Sequence, residues 1–154
     1  MKKRAHASCS SKPRFAVVAG KFNVFITEKL LKGCLNEFSR HGVCACEVQV
    51  VWVPGAFELP VTALKLAQKK NIQAVICLGA VIKGETLHYD LVARESARGI
   101  MDVSLQTGKP VVFEVLAADT VKLCAARAKD GDRDNKGACA ARVALEMVQT
   151  FNTL

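Results

Sequence analysis

Residues 83–88, Lys-Gly-Glu-Thr-Leu-His, bring together residue types that can hold an anion and move a proton. Gly84 lets a ligand approach the backbone. The amides of Glu85 and Thr86 stand where a long helical pattern begins, so the helix dipole favours negative charge there. Thr86 adds a hydroxyl. The Glu85 carboxylate would repel a phosphate, so its backbone is the expected contact. His88 is one of three histidines and falls in the first turn, where an imidazole can exchange protons near neutral pH. His6 lies in the terminal segment and His41 precedes a helix-ending glycine, which leaves His88 as the candidate. Many Gly-x-Thr helix starts hold only water, however, and a first-turn histidine can be a plain capping side chain. The hexapeptide alone defines no site.

A second stretch, Pro-Gly-Ala-Phe-Glu-Leu-Pro at 54–60, has two prolines bracketing a tract that follows an apolar run. The amides of Ala56 to Glu58 would be orphan donors at a helix start. Glu58 supplies an acceptor and Phe57 an apolar wall, which suits a polyhydroxylated or heterocyclic ligand. An ordinary turn with a helix-favouring Glu explains the same residues. Arg127 ends a later helical pattern, where it is either a solvated charge or a clamp for a phosphate beside Thr86. No Walker A or Gly-x-Gly-x-x-Gly pattern is present, which argues against nucleoside triphosphates and dinucleotides. The seven cysteines form no Cys-x-x-Cys pair, so no metal is expected. They read as reduced, structural thiols of a cytoplasmic protein.

Alternating periods set out the elements that would position these residues. Short apolar runs at 15–20, 48–55, 73–82 and 109–116 read as buried parallel strands. Between them lie helical patterns. In 23–42, Ile26, Leu30, Cys34 and Phe38 recur about every four residues before Gly42. Residues 58–70 form a second helical stretch, with Pro60 tolerated in the first turn. In 88–108 the face carries Val92, Ser96, Ile100 and Val103. Two more helical stretches, 119–128 and 136–151, flank a charged turn. This alternation predicts one α/β domain over 14–154, a four-stranded parallel sheet flanked by helices, with ligands at the carboxyl ends of the strands. The expected ligand loops follow Gly20, Val53 and Gly79, with a fourth around Phe113–Leu116.

Composition is that of a globular chain, 51% hydrophobic and 23% charged. No apolar stretch is long enough to span a membrane. The net charge of +8 is concentrated: residues 1–14 hold five Lys/Arg and no acid, leaving +3 on the other 140. Residues 1–13 read as a basic, flexible tail without aromatics to stack on bases, so no nucleic-acid partner is expected.

Lys-Phe-Asn at 21–23, Pro-Gly-Ala-Phe-Glu-Leu-Pro at 54–60, Gly-Ala-Val-Ile-Lys-Gly-Glu-Thr-Leu-His-Tyr-Asp at 79–90 and Asn-Lys-Gly at 135–137 occur in an order and spacing that resembles the 6,7-dimethyl-8-ribityllumazine synthase family. The resemblance covers residues 14–152. It implies a three-layer flavodoxin-like sandwich that condenses 5-amino-6-(D-ribitylamino)uracil with 3,4-dihydroxy-2-butanone 4-phosphate, without metal or organic cofactor. It implies that Phe22 stacks on the pyrimidine, that Ala56, Phe57 and Glu58 hold the ribityl chain, and that the backbone of Ala80, Val81 and Ile82 reads the ring edge. Glu85 and Thr86 would contact the phosphate and His88 transfer protons. Phe113 and Arg127 would come from a neighbouring subunit of a homo-oligomer, a pentamer or a capsid of twelve pentamers. Asn23 and Lys136 are further candidates. The family's usual Arg is Lys21 here, and the segment between Arg127 and Lys136 is one residue longer than usual, an expected surface bulge. A non-catalytic module of the same fold that binds a flavin or lumazine is the alternative.

Overall fold

The computed structural model describes residues 14–154; the basic tail expected over 1–13 lies outside the described residues. Four strands, β1 (Phe15–Gly20), β2 (Val48–Val53), β3 (Ala74–Ile82) and β4 (Val111–Ala118), form one parallel sheet in the order β2-β1-β3-β4. β1 and β3 are central and flanked by strands on both sides, which is why their runs are almost entirely apolar.

Helices α1 (Val24–Arg40), α4 (Val121–Arg127) and α5 (Lys136–Phe151) cover one face, and α2 (Leu59–Ala67) and α3 (His88–Thr107) the other. The alternation of β1 divides the core: Phe15 and Val17 pack under α1 and α5, Ala16 and Val18 under α2 and α3. The four-residue stripe of α1, Ile26, Leu30, Cys34 and Phe38, is fully buried. Pro60 sits in the first turn of α2, where its missing N–H costs no hydrogen bond. Its ring packs against Gly99 of α3, where an added Cβ would lie 2.8 Å from it.

β4 starts and ends two residues later than the apolar run suggests, and Phe113–Leu116, expected to border a ligand loop, lie in the middle of the strand. The segment between Arg127 and Lys136 is a surface turn: residues 129–134 are exposed, anchored by buried Ala128 and Asn135. Asn135 caps α5 by accepting from the amides of Gly137 and Ala138, while its Nδ2 donates to the carbonyls of Lys29 and Lys129. Cys34, Cys77 and Cys124 are free, buried thiols. Among the described residues no helix is long and apolar enough to cross a membrane.

Candidate active site

The strand order reverses direction between β1 and β3. The chain leaves β1 into α1 on one face and β3 into α3 on the other, which opens a crevice at the carboxyl ends of the two strands. A cavity of about 610 Å³ occupies it. Phe22 and Asn23 line it from the end of β1, and Pro54 to Glu58 from the end of β2. Ala80, Val81 and Ile82 come from β3, and Gly84, Thr86 and His88 from the turn into α3.

Backbone bonds fix the first two loops to each other. Lys21 N donates to Val53 O at 2.8 Å and Phe22 N to Pro54 O at 3.0 Å. A Cβ at Gly55 would sit 3.4 Å from Glu58 Oε2 and 3.9 Å from Phe22 Cβ, so the aromatic and the carboxylate flank a bare stretch of backbone. Phe22 is 74% exposed and Phe57 60%. Apolar rings left this open at a cavity mouth are surfaces for stacking.

Asn23 joins this loop to β3. It is the one non-glycine among the described residues with positive φ, at φ 56° and ψ 42°. Its carbonyl starts α1 by accepting from Ile26 N and Thr27 N, and its Nδ2 donates to Ala80 O at 2.8 Å. On the other side of β3, Lys83 N donates to Ala118 O of β4 at 3.0 Å. Because a strand turns successive residues to opposite edges, the polar backbone of Val81 also faces β4, and that of Ile82 faces the β1 side. The paired register of β1 and β3 ends at Ala19–Leu78, so the Ile82 amide and carbonyl lie beyond it.

His88 is the first residue of α3 and is exposed. Its amide donates to Thr86 Oγ1 at 3.4 Å, a local turn that holds Thr86 and His88 together at the helix start. Tyr89, Leu91 and Val92 complete the wall, and residue-type reasoning had not singled them out as site residues. Val92 carries the core-facing period of α3, but the first turns of the helix overhang the sheet, so the same face meets the cavity there.

Glu85 is exposed beside the cavity but does not line it. Nor do Phe113, Arg127 or Lys136. Phe113 lies on the edge strand, 43% exposed, and Arg127 is exposed with its guanidinium donating to Leu123 O. No lysine or arginine lines the cavity among the described residues. Beside Phe113, the half-buried Glu114 carboxyl is pushed up from 4.5 to about 7 by burial, with Lys136 acting against the shift. The described residues contain no group of three or more His, Cys, Asp or Glu able to hold a metal ion.

Fold and cavity define a three-layer α/β protein with an open cavity over the switch point of its parallel sheet. Residues 12–152 match the family model of 6,7-dimethyl-8-ribityllumazine synthase. The chain belongs to that family, transferases with lumazine synthase activity in riboflavin biosynthesis.

Proposed function

We propose that the cavity binds 5-amino-6-(D-ribitylamino)uracil and 3,4-dihydroxy-2-butanone 4-phosphate and condenses them to 6,7-dimethyl-8-ribityllumazine. The observation that carries this reading is the meeting, in one cavity, of an open aromatic, a carboxylate, a free strand edge and a histidine at a helix start. Phe22 stacks on the pyrimidine while Ala80, Val81 and Ile82 border its edge. Ala56, Phe57 and Glu58 hold the ribityl chain, the Glu58 carboxylate accepting from its hydroxyls. Glu85 and Thr86 take the phosphate at the start of α3.

The 5-amino group attacks the butanone carbonyl, and the carbinolamine loses water to an imine. Phosphate then leaves as a proton is lost from the adjoining carbon. The enol so formed takes a proton on its terminal carbon to become a methyl ketone, and the ribitylamino nitrogen closes the ring on that new carbonyl, again with loss of water. Each step moves a proton, and His88 is the imidazole within reach. The two bound reactants are also held together, which by itself supplies much of the acceleration.

Among the described residues the cavity lacks a cation for the leaving phosphate. That gap supports a homo-oligomer in which a neighbouring subunit adds Arg127, with Lys136 nearby and Phe113 closing over the ring. A ring-forming, head-to-tail interface gives every subunit one such shared site. A pentamer is the preferred assembly, with a sixty-subunit capsid the larger form.

The test uses two variants and their mixture. His88→Ala should slow condensation about 10- to 100-fold with the oligomer intact, at the low end for acid-base groups because positioning remains. Arg127→Ala should chiefly raise KM for the phosphate substrate. Dissociated and reassembled together in equal amounts, the two variants should regain about a quarter of wild-type sites, because a head-to-tail interface pairs one subunit's His88 with the next subunit's Arg127. A mixture no more active than the mean of its parts would contradict the shared site.

A further inference from the structure

We infer that the protein carries a second small-molecule site, for a polyol or sugar phosphate, in a cleft between the carboxyl-terminal ends of α2 and α3. The cleft measures about 510 Å³. Leu64, Ala67, Gln68 and Lys70 line it from the end of α2, and Gln106, Thr107 and Lys109 from the end of α3 and the turn into β4. It lies at the amino ends of β3 and β4, on the sheet edge opposite the first cavity. α3 starts in that cavity at His88 and ends here, 20 residues and ~30 Å away. The inference does not depend on the substrate reading above.

Charge selects an anion. No Asp or Glu lines the cleft, and residues 59–84 contain no acid. Asp102, one turn up α3 from Gln106, is taken by Arg98 at 3.1 Å, and Lys69 is turned onto Gln49 of β2 at 3.3 Å. The carbonyl ends of two helices bring about −0.5 each, against two ammonium groups, which leaves a net of about +1. Lys109 Nζ donates to Lys69 O and Ile72 O, both at 2.7 Å, so its ammonium is fixed in place with one of its three N–H groups left. Burial lowers the pKa of Lys109, and an adjacent anion would reverse that shift. The side chains of Gln68, Lys70 and Gln106 make no hydrogen bond or ion pair among the described residues. Two ammonium groups and two carboxamide NH2 groups suit the several oxygens of a phosphate. Thr107 Oγ1 gives its proton to Val103 O at 2.7 Å, so it accepts from a ligand hydroxyl. Leu64 and Ala67 supply apolar surface for a short carbon chain, and the volume is that of a site for a small organic molecule.

The test is equilibrium dialysis of radiolabelled glycerol 3-phosphate against the full-length chain in chloride buffer. It is run in an Arg127→Ala background, which removes the phosphate contact proposed for the active site. That protein should bind the ester saturably, one molecule per subunit, and bind glycerol not at all. Lys70→Glu and Gln106→Glu each place a carboxylate in the cleft without removing a bond, so the fold should be intact by circular dichroism. Each should weaken binding ~10-fold or more, the worth of one charge-assisted hydrogen bond. Lys70→Arg keeps the charge and should keep the binding. No saturable binding in the Arg127→Ala background overturns the inference, and so does binding that neither carboxylate variant weakens. Inorganic phosphate bound as tightly as the ester would show a bare basic patch and overturn the assignment to a polyol phosphate.

Discussion

Gly137, the second residue of α5, is the position where a single methyl group should do most damage. A Cβ built there would lie 1.8 Å from the carbonyl oxygen of Leu30 and 2.5 Å from its carbon. Ordinary contact begins near 3.4 Å, so the two helices must part by about 1.6 Å. The obstacle is backbone inside α1 and no rotamer change removes it. Asn135 tightens the constraint, because the same residue caps α5 and donates to Lys29 O of α1. Parting the helices opens the buried cluster that holds Leu30 and Cys34 of α1 with Ala140, Ala141 and Ala144 of α5. A gap of 1 Å already forfeits up to half of a contact's attraction. Gly137→Ala should therefore cost ~3 kcal/mol or more, the upper range for overpacking, and lower Tm by about 6–12 °C in a chain of this size. The assay is thermal and urea unfolding followed at 222 nm. Gly84→Ala is the control, since nothing lies within 4 Å of its Cβ and its φ is not positive; it should melt with wild type. A Gly137→Ala protein that melts within 2 °C of wild type would refute the close-packing argument.

Two further predictions concern charge. Glu37 is buried, and its carboxylate accepts from Arg142 at 3.0 Å and Arg40 at 3.2 Å, with His41 Nε2 at 3.4 Å. Arg142 first, then Arg40 and His41, hold its carboxyl below the usual range against the opposing effect of burial. Glu37→Ala should cost roughly 2–3 kcal/mol at pH 7 by urea unfolding, and the gap should narrow as pH falls below 4.5, where wild type loses the same contribution. Glu114 has the opposite sign. Its carboxyl is raised from 4.5 to about 7, so its contribution is fully present below 4.5 and lost as pH rises through 7. Full burial would make the ionised form cost ~3 kcal/mol, and partial exposure screens this to roughly 1–2 kcal/mol. Glu114→Gln should stabilise by that amount at pH 8 and by nothing at pH 4; equal stabilisation at both would contradict the account.

Much of this was legible in the residues themselves. β1 is bounded as its apolar run ends, and the stripe Ile26, Leu30, Cys34, Phe38 is the buried face of α1, because burial on both sheet faces and a single helix face leave strong periodic signals. The loops after β1, β2 and β3 converge because parallel strands put all their carboxyl ends on one edge. The rest depended on tertiary facts. Nothing local distinguishes an asparagine that caps a helix through its own αL backbone from one in a plain turn, so the bond to Ala80 O was invisible. Val92 continues a core period yet faces the cavity, since sequence does not tell where a helix outruns its sheet. The ladder with β3, and not the apolar run, set the bounds of β4, which carries the strand on to Ala118 and leaves Phe113–Leu116 short of the loop at its carboxyl end. Glu37 reads as an exposed helix acid until Arg142, 105 residues on, closes over it.

The central claim, that this cavity condenses the ribitylaminouracil with the butanone phosphate, has one direct test. Purified protein is mixed with both compounds and lumazine fluorescence is followed against a protein-free control, since the two react slowly unaided. The account predicts a rate that rises in proportion to protein and an equal release of inorganic phosphate. A rate equal to the control, with the oligomer shown to be intact, would contradict it.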